Sequence, residues 1–323
     1  MEWGIQFLHP GRALLETVVT IVLPVFGLVG VGFVLGRLGF FPEGTGRGLE
    51  NYLHRFALPL LIFNAVSKAS LPDEPDWNLW IVYFAAMYLV WALAQVSLRA
   101  MKHDRAIAVI GGFTAAFSNM MLIGIPLVVS AYGDEGLIPL FLLISIHLPF
   151  AALLATVMIE GEGAGGKAAA VARTFAGMLR HPILLGLATG LAFNLLDLKL
   201  PAIPDRMVSW IAESAVPCAL VAMGLAVRRT GLGELSGALG VVAFSKLVVH
   251  PAIVYVLGHW VFDLPPVWAN VAVLIAACPP GLNAYLIALP YPKAVPLASA
   301  GVSLTTGLAV ITVSAWLTFL LAH

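Results

Sequence analysis

Four ionisable side chains, Glu213, Lys246, His147 and His250, fall inside apolar runs long enough to cross a bilayer, and Glu16 and His54 lie near the ends of such runs. A charge at bilayer depth is costly, so each of these residues is by default a candidate for handling ions or protons. Glu213 stands about 8 residues into its run and Lys246 about 10 into the next, counted from opposite ends; at about 1.5 Å per residue in a core about 30 Å thick, the two reach similar depth. Antiparallel neighbours can then bring them together. Three readings stay open: a static buried ion pair, a proton-coupling or gating pair that breaks and reforms, or no meeting at all. In the last case Lys246 serves a bound carboxylate or stands in for a cation. His147 and His250 titrate near neutrality and can relay protons. Each also stands beside or near a proline ("HLP", "HP"), where bonding to freed backbone is the plainer use.

A second chemistry comes from polar and helix-breaking residues at mid-run. "SNMMLIGIP", residues 118–126, places Ser118 and Asn119 ahead of Gly124 and Pro126. "CPPGLNAYLIALP", residues 278–290, sets Pro279, Pro280 and Gly281 ahead of Asn283 and Tyr285. Ser and Asn are good N-caps, and proline suits the first turn of a new helix. Two half-helices starting near mid-membrane would present unpaired N–H groups and positive dipole ends to an anion. The amides of Asn119 and Asn283 can add hydrogen bonds to a carboxylate.

These groups need spans to carry them. The chain is 60% hydrophobic and 11% charged with no net charge, and its mean hydropathy is +0.96, which places it in the membrane class. Segments of spanning length fall at about 14–36, 49–67, 78–99, 105–131, 136–159, 182–198, 205–227, 236–262, 267–291 and 296–322. The first reads as a helix and not a cleaved signal, because Glu2 and Glu16 replace a basic leader. The longest break, 160–182, divides the chain into two sets of five. An odd number per half inverts the second set. Helix breakers fall in the second and fourth span of each half, at Pro59 and Pro217 and at the two stretches above, a pattern that points to an inverted-repeat transporter. Most Lys and Arg lie on one side (Arg37, Arg47, Arg55, Arg99, Lys102, Arg105, Lys167, Arg173, Arg180, Arg228, Arg229 and Lys293), against Arg12, Lys68, Lys199 and Arg206 on the other. That bias makes 160–182 cytoplasmic and puts both termini outside.

"FSNMMLIGIPLVVSAYG" (117–133) is similar to the fourth-helix motif of the auxin efflux carrier family, whose plant members are the PIN proteins. "LENYLHRFALPLLIFNAVSKAS" (49–70), "CPPGLNAYLIALPY" (278–291) and "KLVVHP" (246–251) resemble that family's second, ninth and eighth helices, and the ten-span layout resembles it from end to end. The resemblance implies an all-α membrane fold shared with bile-acid symporters and antiporters of the NhaA type. It has two inverted five-helix repeats, 1–160 and 182–323, joined by 161–181, with broken helices four and nine crossing. Helices 1, 2, 6 and 7 would be scaffold, often a homodimer surface, and 3–5 and 8–10 a moving transport domain. The implied activity is elevator-type transport of an organic anion, auxin in plants and malate or malonate in bacterial members. A sodium/proton antiporter or sodium-coupled symporter of the same fold is the alternative.

Other classes find little support. Asp197, Asp205 and Asp263 all lie at span ends, and Ser145 and His147 are two residues apart on one helix, so neither paired acids nor a nucleophile with its base is on offer. No metal-ligand spacing and no cofactor motif occurs, and a neutral chain does not invite nucleic acid. Cys218 and Cys278 read as packing residues, Thr305 and Thr306 likewise, and Trp3, Trp77, Trp80, Trp260 and Trp268 as interfacial anchors.

Overall fold

The computed structural model describes residues 18–42, 44–69, 76–160, 182–227 and 237–322. The expectations for Glu2, Trp3, Arg12, Glu16, Lys167, Arg173, Arg180, Arg228 and Arg229, and for the connection 161–181, lie outside them. The described residues are helical, with no strand among them. Six helical stretches are long and apolar enough to cross a membrane: Thr20–Arg37, Asn78–Ala100, Arg105–His147, Ala202–Ala226, Gly237–Val261 and Val295–Ala322. Pro182–Leu195 and Pro266–Ala277 are shorter apolar helices.

Prolines shape these helices through one repeated device. The π-helical turns Val18–Val22, Leu53–Ala57, Met120–Gly124 and Ser245–Val249 each end two residues before a proline: Pro24, Pro59, Pro126 and Pro251. A proline inside a helix has no N–H to give, and its ring crowds the carbonyl four residues back. A widened turn moves that carbonyl aside. For Pro251 the freed carbonyl is that of Leu247, which accepts from Trp316 Nε1 at 3.2 Å. Pro217 sits inside its helix without such a turn.

Close packing uses glycine in two sets of helices. The first set is α1 (Leu23–Arg37), α2 (Thr45–Tyr52), α3 (Leu58–Lys68), α8 (Pro182–Leu195) and α9 (Ala202–Val227). A Cβ on Gly32 of α1 would lie 2.3 Å from the Val221 carbonyl oxygen of α9, and one on Gly186 of α8 2.4 Å from the Pro59 carbonyl oxygen of α3. Asn194 closes the end of α3, donating to the carbonyls of Val66 and Ala69 at 2.9 and 2.7 Å.

The second set comprises α4 (Asn78–Ala100), α5 (Arg105–Ala116), α6 (Ile125–Tyr132), α7 (Leu137–Glu160), α10 (Gly237–Phe244), α11 (His250–Tyr255), α12 (Pro266–Ala277), α13 (Leu282–Ala288) and α14 (Val295–Ala322). Here a Cβ on Gly112 would meet Trp91 at 2.4 Å, and Trp91 Nε1 donates to the Val109 carbonyl at 3.1 Å. Thr305 and Thr306 are buried in α14 with their hydroxyls on that helix's own carbonyls, and both cysteines are free.

Candidate functional site

α5 and α12 each run 12 residues and then stop, with Phe117 and Cys278 turning to extended backbone. Beyond the stops the chains cross. Asn119 N–H donates to the Pro279 carbonyl at 2.9 Å, and Gly281 lies so near that an added Cβ would sit 3.0 Å from Asn119 Cγ. Glycine is what lets the second strand of the crossing approach an asparagine side chain. Gly124 is buried one turn on, its N–H bonded to the Asn119 carbonyl at 3.0 Å, and Pro126 and Pro280 are buried in their segments.

A cavity of about 250 Å³ lies against this crossing. Its polar lining comes from Ser118, Asn119, His147 and Asn283, while Glu50 and Asn51 at the end of α2 and His54 and Arg55 in the π turn ahead of Pro59 complete it. Phe117, Met120 and Ile144 supply apolar wall. The volume falls below the roughly 300–1,000 Å³ typical of sites for drug-sized ligands, and suits a small acid. Tyr285, half-buried on α13, is not part of the lining.

The polar groups of the lining are held in fixed hydrogen-bonding roles by partners behind them. Asn119 caps the turn that follows it: its Oδ1 accepts from Leu122 N–H at 3.1 Å, which fixes the amide and takes an N–H that would otherwise be open. Its Nδ2 donates to Met223 Sδ at 3.3 Å, a weak acceptor. Ser118 N–H donates to His147 Nε2 at 3.3 Å. A backbone N–H only donates, so Nε2 accepts and the ring proton sits on Nδ1. That Nδ1 is buried and has no partner among the described residues. Phe117 stacks on the ring with centroids 4.5 Å apart and holds its plane.

Ser118 Oγ accepts twice, from Tyr83 O–H at 3.0 Å and from Lys246 Nζ at 2.6 Å. A serine oxygen has two lone pairs and one proton. With both pairs filled, the proton remains for a ligand. Ser118, Asn119 and His147 therefore all offer donors.

Of the three readings of Glu213 and Lys246, the structure shows the one in which they do not meet. Glu213 is exposed on α9, whereas Lys246 is fully buried and bonded to Ser118 and, at 3.0 Å, to His250 Nδ1. Direction separates them: Lys246 lies in a π turn that aims it at the crossing, whereas Glu213 is exposed. None of the described ion pairs includes Lys246. His250, also fully buried, packs on Tyr83 with centroids 5.6 Å apart, its Nε2 unpartnered. Neither histidine bonds to proline-freed backbone. Pro59 and Pro217 lie outside the cavity, and Pro217 is exposed.

Sequence reading missed Tyr83, which looks like any core aromatic in an apolar run. It also missed Arg55, counted among connection charges although it reaches the cavity.

An apolar helical chain with broken helices crossing beside a polar cavity is an integral membrane protein built for transport. The chain belongs to the Membrane transport protein family, whose model matches residues 17–317. Relatives include a "Putative malonate transporter" of Rhizobium meliloti (strain 1021), 29% identical over 297 residues, covering 91% of this chain and 93% of that one. An "Uncharacterized transporter" of Methanothermobacter thermautotrophicus is 25% identical over 303 residues, with 91% and 96% covered. The "Lysosomal cholesterol signaling protein" of Mus musculus is 27% identical over 218 residues, 63% of this chain but 25% of the mouse protein. The family and the two relatives matched over 91% of this chain are named for transport and not for an enzyme, as the sequence led one to expect.

Proposed function

We propose that this protein is a secondary carrier for a small organic anion of the malonate or malate type, held in the cavity at the crossing of the two broken helices. One observation carries the reading: Ser118, Asn119 and His147, each able in principle to accept, are all left as donors by their other partners. A carboxylate accepts only, and hydrogen bonds to it are charge-assisted. Buried Lys246, one hydroxyl away, favours negative charge further, while Arg55 and Glu50 line the cavity together with opposite charges. The relative named for malonate, matched almost end to end, agrees with an anion of this size.

The same reading takes residues 1–160 and 182–323 as inverted five-helix repeats joined by 161–181, with 161–181 cytoplasmic. In this arrangement α1–α3, α8 and α9 form the scaffold, and the helices carrying the crossing form the transport domain. The cavity supports an elevator motion, because Arg55 and His54 come from the first set and Ser118, Asn119, His147 and Asn283 from the second. Sliding one set past the other would carry the anion away from Arg55 with its donors intact.

Thermal stabilisation of the purified protein tests the reading. Malonate, malate and indole-3-acetate are compared with malonamide, which has malonate's shape without its charge. At 100 times its Kd a ligand adds about 2.7 kcal/mol, readily seen as a rise in Tm. Malonate or malate should stabilise and malonamide should not. Equal stabilisation by malonamide would refute the anion site, and a response to sodium alone would favour the antiporter.

A further inference from the structure

Lys246 is fully buried, and its described partners, Ser118 and His250, offer no counter-charge at the geometry seen. An ammonium withdrawn from water without a counter-charge carries its full desolvation cost, which a nearby anion offsets. Building on the anion-carrier reading, we propose that Ser118 and Lys246 form a hydrogen-bond switch that links each bound anion to one proton taken up on Lys246.

The switch follows from what a hydroxyl can do. With Lys246 as ammonium, Nζ donates to Ser118 Oγ, Tyr83 fills the second lone pair, and the Ser118 proton faces the cavity as a donor. With Lys246 as amine, the Nζ lone pair accepts the Ser118 O–H instead. Tyr83 still occupies one lone pair of Oγ, and the other is turned on the cavity, where it repels a carboxylate. Loading the proton takes two transfers: a cavity water breaks one O–H bond as a new O–H forms on Oγ, the original Ser118 O–H breaks as an N–H forms on Nζ, and the one hydroxide left returns to bulk, where it takes up a solvent proton. The net change is one N–H bond formed on Lys246 and one proton taken from solution.

Glu50, His54 and Arg55 line the same cavity from α2 and the π turn after it, while the groups packed around Lys246 itself are few. Tyr83 faces Ser118 from α4, His147 from α7, Cys278 stands near from the end of α12, and His250 follows one turn along. α10 and α14, also packed on this turn, carry no titratable side chain in their described lengths, and α5 carries only Arg105 at its far end. His147 is committed to accept from Ser118 N–H, which leaves Lys246 as the base in contact with the hydroxyl.

Calorimetric titration with malonate reads the linkage directly, in buffers of contrasting ionisation enthalpy at about pH 7 to 9, above the carboxyl range. The wild type should take up close to one proton per malonate. Its affinity should fall about tenfold per pH unit at the alkaline end. Ser118→Ala and Lys246→Gln should bind more weakly and take up none. Wild-type binding without proton uptake anywhere in the range overturns the switch and leaves the carrier reading standing. Uptake that persists in Ser118→Ala also overturns it. If neither malonate nor the other acids bind at all, the carrier reading fails and the switch falls with it.

Discussion

Changing Asn119 to aspartate is expected to abolish malonate binding while leaving the fold in place. The two halves of this side chain do different work. Oδ1 accepts from Leu122 N–H and starts the turn Met120–Gly124, while Nδ2, on a side chain that lines the cavity, donates to the Met223 sulfur and keeps a second N–H to give. Asn119→Ala removes both, so its effect mixes a lost cap, at about 0.5–2 kcal/mol, with a lost ligand contact. Asn119→Asp keeps an oxygen for Leu122 and replaces the donor with a negative acceptor. Like charges about 4 Å apart at an effective dielectric of about 20 repel by roughly 4 kcal/mol, or about a thousandfold in affinity. The measurement is malonate titration at about pH 8, where carboxylates are ionised, beside a melt of the ligand-free protein. A Tm within a few degrees of wild type and no detectable binding is the expected pair. Binding within tenfold of wild type would remove Asn119 from the site.

The contrast between this residue and Lys246 shows what was legible in the sequence. Breaks after about 13 and about 11 residues of two apolar runs were visible, because Ser-Asn and Pro-Pro-Gly can hardly continue a helix in hydrocarbon. The helices do stop, at Ala116 and Ala277, and the polar residues just beyond them, Ser118, Asn119 and Asn283, line the cavity. Counting residues gives depth along a helix. It does not give the direction in which a side chain leaves it, since each residue turns the next by about 100° and a π turn resets that count. Counting could therefore set Glu213 and Lys246 at a similar level but not decide whether they meet, and they do not. Tyr83 and Arg55 were illegible for a related reason. A tyrosine among apolar residues and an arginine near a span end become informative only once a neighbouring helix is set beside them. The roles of Ser118 and His147 lay further out of reach, because each is decided by a partner 29 or more positions away in the chain.

Two glycines two residues apart on α1 should respond in opposite ways to the same substitution. A Cβ on Gly32 would sit 2.3 Å from the carbonyl oxygen of Val221 and 3.0 Å from that residue's Cα, both backbone atoms of α9 that no rotamer change can move. The contact is mutual, because a Cβ on Gly224 of α9 would lie 2.1 Å from the Val29 carbonyl oxygen of α1. The helices can yield only by moving apart, which loosens every contact along a shared face. Lipid offers no hydrophobic drive to bring them back, so close backbone approach is what holds such pairs together. Gly30 is exposed and a Cβ there meets nothing within 4 Å. Overpacking of this kind costs about 1–3 kcal/mol and sometimes more, whereas alanine in an open helical position gains up to about 1 kcal/mol over glycine. Gly32→Ala should therefore lower the Tm in detergent by roughly 4–10 °C, at about 2–4 °C per kcal/mol, and Gly30→Ala should hold or raise it slightly. An unchanged Tm in Gly32→Ala would mean that α1 and α9 do not pack this closely. A fall restricted to Gly32 would show that this helix pair forms a rigid unit, which an elevator needs on its stationary side.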